Sequence, residues 1–112
     1  MFRVHAYAIA DIRVHDPALF SRYVEQVGEI VRKHQGRYLS RAGKVTCITG
    51  AWKPGRIVLI EFPSREELVR CFASREYREI LPIREGSSTG SLIMVEESGE
   101  EETSPSPETA ED

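Results

Sequence analysis

Val4-His5-Ala6-Tyr7-Ala8-Ile9-Ala10-Asp11-Ile12-Arg13-Val14 alternates with a period of two, Tyr7, Ile9 and Asp11 on one side and Ala6, Ala8, Ala10, Ile12 and Val14 on the other. That period belongs to a β-strand. The strand is nearly apolar on both faces, whereas an antiparallel strand with one face in water shows a clean polar side. The pattern therefore predicts a strand covered twice, by helices on one face and by something else on the other.

Outward from this strand, Asp16-Pro17 supplies a side-chain acceptor at a helix N-cap and a proline at the first helical position. Phe20, Tyr23, Val24, Val27, Ile30, Val31 and His34 then recur at three- and four-residue spacing, which predicts a long amphipathic helix. Gly36 is expected to end it in the left-handed conformation. Residues 37–42 and 45–49 read as one long strand bent at Gly43-Lys44, with a tight turn at Trp52-Lys53-Pro54-Gly55 leading into a third strand, Arg56 to Phe62. Ser64-Arg65-Glu66-Glu67 has the form of a capping box that opens a second helix. Ser74 predicts a break and a short further helix that Pro82 ends. Gly86 to Gly90 reads as a loop, and Ser91 to Glu96 as the last strand.

The order of elements is βαββαβ, an α+β class with a four-stranded antiparallel sheet. At 112 residues the chain has room for one core. Residues 1–97 read as that domain, and 98–112 as a disordered acidic tail. The tail carries Glu100, Glu101, Glu102, Glu108, Glu111 and Asp112 with no base and no large apolar residue, and its expected role is solubility, an interaction arm being the alternative. Residues 1–97 hold 15 basic and 12 acidic side chains, too few and too scattered for a nucleic-acid surface. No apolar run approaches the roughly 20 residues that span a bilayer, and the first residues lack the form of a signal peptide. Cys47 and Cys71 form no CxxC pair and read as reduced thiols of a cytoplasmic protein.

The run Gly50-Ala51-Trp52-Lys53-Pro54-Gly55-Arg56-Ile57-Val58-Leu59-Ile60-Glu61-Phe62-Pro63-Ser64, followed by Phe72-Ala73-Ser74-Arg75-Glu76-Tyr77, resembles the domain-of-unknown-function 1330 family. Asp11, Asp16-Pro17, Gly36, Tyr38, Gly43 and Arg84 fall where that pattern places comparable residues. The resemblance covers roughly residues 4 to 97. It implies the ferredoxin-like unit of the dimeric α/β-barrel superfamily, in which two sheets pack face to face. A homodimer would cover the second apolar face of the first strand. As its name implies, members of that family are mostly without an assigned activity.

Glu61 shares a strand face with Ile57 and Leu59, so it reads as a carboxylate aimed at the core. Its expected role is catalytic or ligand-binding, answered by Arg84 or Arg41; a structural ion pair is the alternative. Tyr38, Trp52 and Tyr77 are expected either to line a cleft between sheet and helices, as flat walls for a small organic ligand, or to be plain core. Asp11 reads as a further cleft residue or as one half of an ion pair across the dimer. His5, His15 and His34 lack metal-ligand spacing, and neither cysteine has the surroundings of a nucleophile. No metal and no cofactor is expected, and no phosphate-binding loop is present. The sequence reading is thus a small homodimeric protein that binds or transforms a small organic molecule without a cofactor. The alternative is a non-catalytic dimeric module with an interaction tail.

Overall fold

The computed structural model describes residues 4–98, so the expected tail lies, apart from Ser98, outside the described residues. Seven elements follow in the order β1 (Ala6–Val14), α1 (Pro17–Lys33), β2 (Arg37–Arg41), β3 (Arg56–Phe62), α2 (Arg65–Ala73), α3 (Arg75–Ser87) and β4 (Ser88–Glu96). The strands form one antiparallel sheet in the order β2-β3-β1-β4. The two strands that flank α1 in sequence, β1 and β2, are separated in the sheet by β3. This is the α+β, ferredoxin-like architecture that the sequence predicts.

All three helices pack on one face of the sheet. The small side chains of Ala6, Ala8 and Ala10, with Ile12, face Phe20, Tyr23, Val27, Ile30 and Val31 of α1 and Leu68, Cys71, Tyr77 and Ile80 of α2 and α3. From β3, Ile60 and Phe62 join the same core. Fully burying a side chain such as Phe62 contributes on the order of 2–3 kcal/mol. The opposite face carries Tyr7, Ile9 and Asp11, opposite Glu61, Leu59 and Ile57 of β3 and Val95, Ile93 and Ser91 of β4. No helix covers it among the described residues.

Local capping chemistry sets the helix boundaries. Asp16 Oδ1 accepts the Leu19 N–H at 3.1 Å, with Pro17 next in the first turn. Ser64 Oγ accepts from Glu67 N at 3.2 Å, but Glu67 does not reach back to the cap; its carboxylate turns to Arg70 and His34. Ser74 separates α2 from α3, its hydroxyl accepting from Tyr77 N and donating to the Cys71 carbonyl.

Several expectations need correction. The left-handed residue after α1 is Gln35 (φ 65°), not Gly36. Gly36 is required for another reason, since a Cβ there would lie 2.7 Å from Phe62 Cε1 and from Val31 Cγ1. Residues 45–49 form no strand. The chain leaves β2 at Ala42 (φ 67°), and 42–55 is a long irregular connection rather than a tight hairpin, with no strand on the outer edge of β2 among the described residues. The bulge lies at Leu39, between Tyr38 and Ser40, and not at Gly43-Lys44.

Pro82 does not end a helix but sits inside α3. Its missing N–H leaves the Arg78 carbonyl without its helical partner, which costs little because both residues are exposed to water. The helix resumes because Ser87 is buried and tied down, its Oγ donating to the Ile83 carbonyl at 2.7 Å. The predicted loop over 86–90 is absent, and α3 passes directly into β4.

Candidate functional site

The expected site residues divide between the two faces of the sheet. On the helix side, Tyr38, Tyr77 and Arg84 border a pocket of about 50 Å³ between the sheet and α1 and α3. On the uncovered side, Trp52 lines a separate groove of about 560 Å³ with the 42–55 segment, while Asp11 and Glu61 lie on that same sheet face.

Why Glu61 and its neighbours face away from the helices follows from strand alternation. Val58, Ile60 and Phe62 point at the helices, so Ile57, Leu59 and Glu61 cannot. Glu61 is answered by Arg37, with Nε 3.0 Å from Oε1, and not by Arg84 or Arg41. Arg37 is 70% exposed and Glu61 20%, so this is a surface ion pair of about 0–1 kcal/mol. Asp11 does not point into the helix-side pocket either. Its Oδ1 accepts the Gly55 N–H at 2.8 Å and its Oδ2 accepts from Trp52 Nε1 at 3.3 Å, which fastens the end of the 42–55 segment to β1. Trp52 itself is 65% exposed.

The helix-side pocket is built from aromatic side chains. Tyr23 on α1 and Tyr77 on α3 meet hydroxyl to hydroxyl at 3.0 Å, with their rings edge to face. Phe20 and Phe72 pack against these two rings. Arg84 lies seven residues beyond Tyr77, two helical turns on the same face, and its guanidinium makes a long 3.5 Å contact with the Tyr77 hydroxyl. This placement depends on α3 continuing through Pro82. Arg41 stacks on Tyr38, its guanidinium carbon 4.4 Å from the ring centroid, and donates to the Val24 carbonyl at 3.0 Å. Arg56 covers the Phe20 ring at 5.3 Å.

Burial pushes the Tyr23 hydroxyl far above its ordinary range; the contact with Tyr77 adds to this and Arg84 opposes it. Burial also raises Tyr38, against the pull of Arg41. Both remain protonated at neutral pH, and the Tyr23 hydroxyl shares a hydrogen bond with Tyr77. Tyr23 and Arg56 were not singled out for the site from the sequence. Tyr23 lies in the apolar stripe of α1, and the arginine-over-ring contact gives no sequence signal.

Cys71 and the imidazoles line neither site, whereas Cys47 lines the groove beside Trp52. Burial, reinforced by the charge of Glu67, pushes the Cys71 thiol up to about 12, so it stays neutral. Cys47 is exposed and free. His5 meets Glu97 at 3.0 Å where β1 begins and β4 ends, and His34 lies 3.7 Å from Glu67. No group of three possible metal ligands occurs among the described residues. No helix among them is long and apolar enough to cross a membrane.

The profile of the family described as domain of unknown function (DUF1330) matches residues 5–98. Among solved structures, a protein of unknown function from Rhodopseudomonas palustris superposes with a TM-score of 0.71 at 14% identity, over 88% of this chain and 85% of that one. SnoaB, a cofactor-independent oxygenase from Streptomyces nogalater, superposes with a TM-score of 0.57 at 14% identity, over 95% and 99%. A hypothetical protein from Arabidopsis thaliana gives 0.56 at 17% identity, over 95% and 93%. These likenesses are in fold. No functionally curated protein matches the chain significantly.

Proposed function

The chain belongs to the DUF1330 family, and from that premise we propose that it is a homodimeric protein that binds a small organic molecule in the pocket between the sheet and α1 and α3. The observation that carries this reading is the pocket itself. Apolar side chains surround the paired hydroxyls of Tyr23 and Tyr77, with arginines placed around them. A few convergent polar groups in an apolar recess are the usual makeup of a small-molecule site. Tyr38, Tyr77 and Arg84 keep their place in the reading. Glu61, Trp52 and Asp11 leave it, because they lie on the other face.

Among the described residues the lining contains no carboxylate, imidazole or thiol to act as a base. Binding is therefore the better supported activity, and any chemistry would be of the cofactor-independent kind that SnoaB represents. The dimer is supported by the uncovered sheet face, where Ile93 and Val95 are 54% and 43% exposed beside Ile9, Ile57 and Leu59. A contiguous apolar face of this kind marks an interaction surface, and a second copy would bury it against its own equivalent. A reducing, cytoplasmic setting is part of the reading, supported by the free exposed thiol of Cys47. So is the division into a domain of residues 1–97 and a solubilising tail of 98–112.

A thermal-shift screen of small organic molecules on wild type and on Tyr77→Phe tests the site. Hits whose shift shrinks in Tyr77→Phe support it, and an absence of hits favours the non-catalytic module, in which Glu61–Arg37 and Asp11 serve structure only. Light scattering tests the assembly, and a stable lone protomer would remove the dimer.

A further inference from the structure

We propose, resting on the sheet–helix pocket as the binding site, that its ligand is an organic carboxylate on a small apolar or aromatic body, held by Arg56, Arg84 and the Tyr23–Tyr77 hydroxyls. Three observations lead to this class.

The first is charge. Arg41, Arg56 and Arg84 are the only charged side chains lining the pocket. Among the described residues none of the three is paired with a carboxylate, although Arg32, Arg37, Arg65, Arg70 and Arg75 all are. Three cations without counter-charges among the described residues, around one apolar recess, form a site of positive potential, in a domain whose residues 1–97 hold 15 basic and 12 acidic side chains. Arg41 is engaged with Tyr38 and the Val24 carbonyl. Among the described residues Arg56 has only the Phe20 ring, and Arg84 only a 3.5 Å contact with Tyr77, which leaves their N–H groups for a ligand.

The second is the count of hydroxyl protons. Tyr23 and Tyr77 have two between them, and their mutual hydrogen bond uses one. Arg84 approaches the Tyr77 oxygen as a further donor. The second hydroxyl proton therefore calls for an acceptor, and so do the guanidinium groups. A ligand that brings only acceptors satisfies all of them, and a carboxylate matches the planar fork of arginine.

The third is the lining of the pocket, which is partly open to solvent. The walls of Phe20, Val27, Ile60 and Phe72 suit an apolar body, which a bare inorganic anion lacks.

The test is a titration of the full chain, followed by its backbone amide NMR spectrum, with benzoate, with benzamide as its uncharged counterpart, and with inorganic phosphate. Benzoate is expected to shift the amides of Tyr77, Arg84 and Arg56, with benzamide about tenfold weaker or more and phosphate weaker than benzoate. Arg84→Gln should bring benzoate down to the level of benzamide, and Arg84→Lys should restore part of the difference; if Arg84→Gln does not fold, Arg56→Gln serves for the same comparison. Equal binding of benzoate and benzamide overturns the anion class but leaves the pocket in place. Phosphate binding as well as benzoate overturns the apolar body. If no probe moves the pocket amides, this inference and the site reading fall together.

Discussion

Arg41 lies over the ring of Tyr38, 4.4 Å from its centroid, although three residues of regular strand would place the two side chains on opposite faces. The bulge at Leu39 resolves this. Tyr38 pairs with Ile60 and Arg41 with Val58, both facing the helices, and the extra residue between them absorbs the change of phase. One inserted residue on an edge strand thus brings an aromatic ring and a cation to the rim of the pocket.

Arg41→Ala removes the stack on Tyr38 and the hydrogen bond to the Val24 carbonyl together. Urea unfolding should show a loss of about 1–2 kcal/mol. A change below about 0.3 kcal/mol would mean that the arginine is not held as described.

Asp11→Ala should cost about 1–2 kcal/mol through the loss of its bonds to Gly55 and Trp52. Trp52 is the chain's only tryptophan, so its fluorescence reports directly on the 42–55 segment. Emission should move to longer wavelength and anisotropy should fall. An unchanged spectrum would show that Asp11 does not anchor this segment.

Glu61→Gln should change stability by no more than about 1 kcal/mol, since its partner is an exposed arginine. It should also leave unchanged the thermal shift produced by any ligand of the helix-side pocket. A ligand that loses its shift in Glu61→Gln but not in Tyr77→Phe would return the site to the other face of the sheet.

Cys71 makes alkaline stability informative. Its folded pKa of about 12 lies above the ordinary 9.0, so the fold favours the neutral thiol. The contribution is fully present below pH 9 and declines as pH rises from 9 towards 12. Cys71→Ala should flatten that part of the stability profile. In the native protein a thiol reagent should modify Cys47 rapidly and Cys71 only at the rate of unfolding. Equal rates for both would contradict the burial of Cys71.

The parts of the fold legible in the sequence are those fixed locally. The alternation over 4–14, the Asp16-Pro17 start, the Ser74 cap and the strand from Arg56 to Phe62 each depend on near neighbours and are found as read, and at Ser64 the serine half of the capping box is found. The site was harder to read because β3 is apolar on both faces. Ile57 and Leu59 look as core-like as Val58 and Ile60, so alternation alone does not say which side meets the helices. Glu61 accordingly reads as core-facing although it lies on the face away from the helices. Pro82 misled for a related reason. Local preference ends a helix there, but the buried Ser87 lies beyond it and holds the following turn in place. The bulge at Leu39 is set by pairing with a strand some 20 residues away, which no local pattern announces.

The Ser87 carbonyl accepts N–H groups from both His15 and Asp16, at 2.9 and 3.1 Å, where α3 ends and α1 begins. One oxygen thus acts as a rivet through which the two walls of the pocket are joined at one end. Any widening of the pocket has to resemble scissors turning on that rivet, with the least travel near Phe20 and more towards the opposite tips. The amides of His15 and Asp16 should accordingly be among the slowest loop amides to exchange with deuterium, whether the pocket is empty or filled.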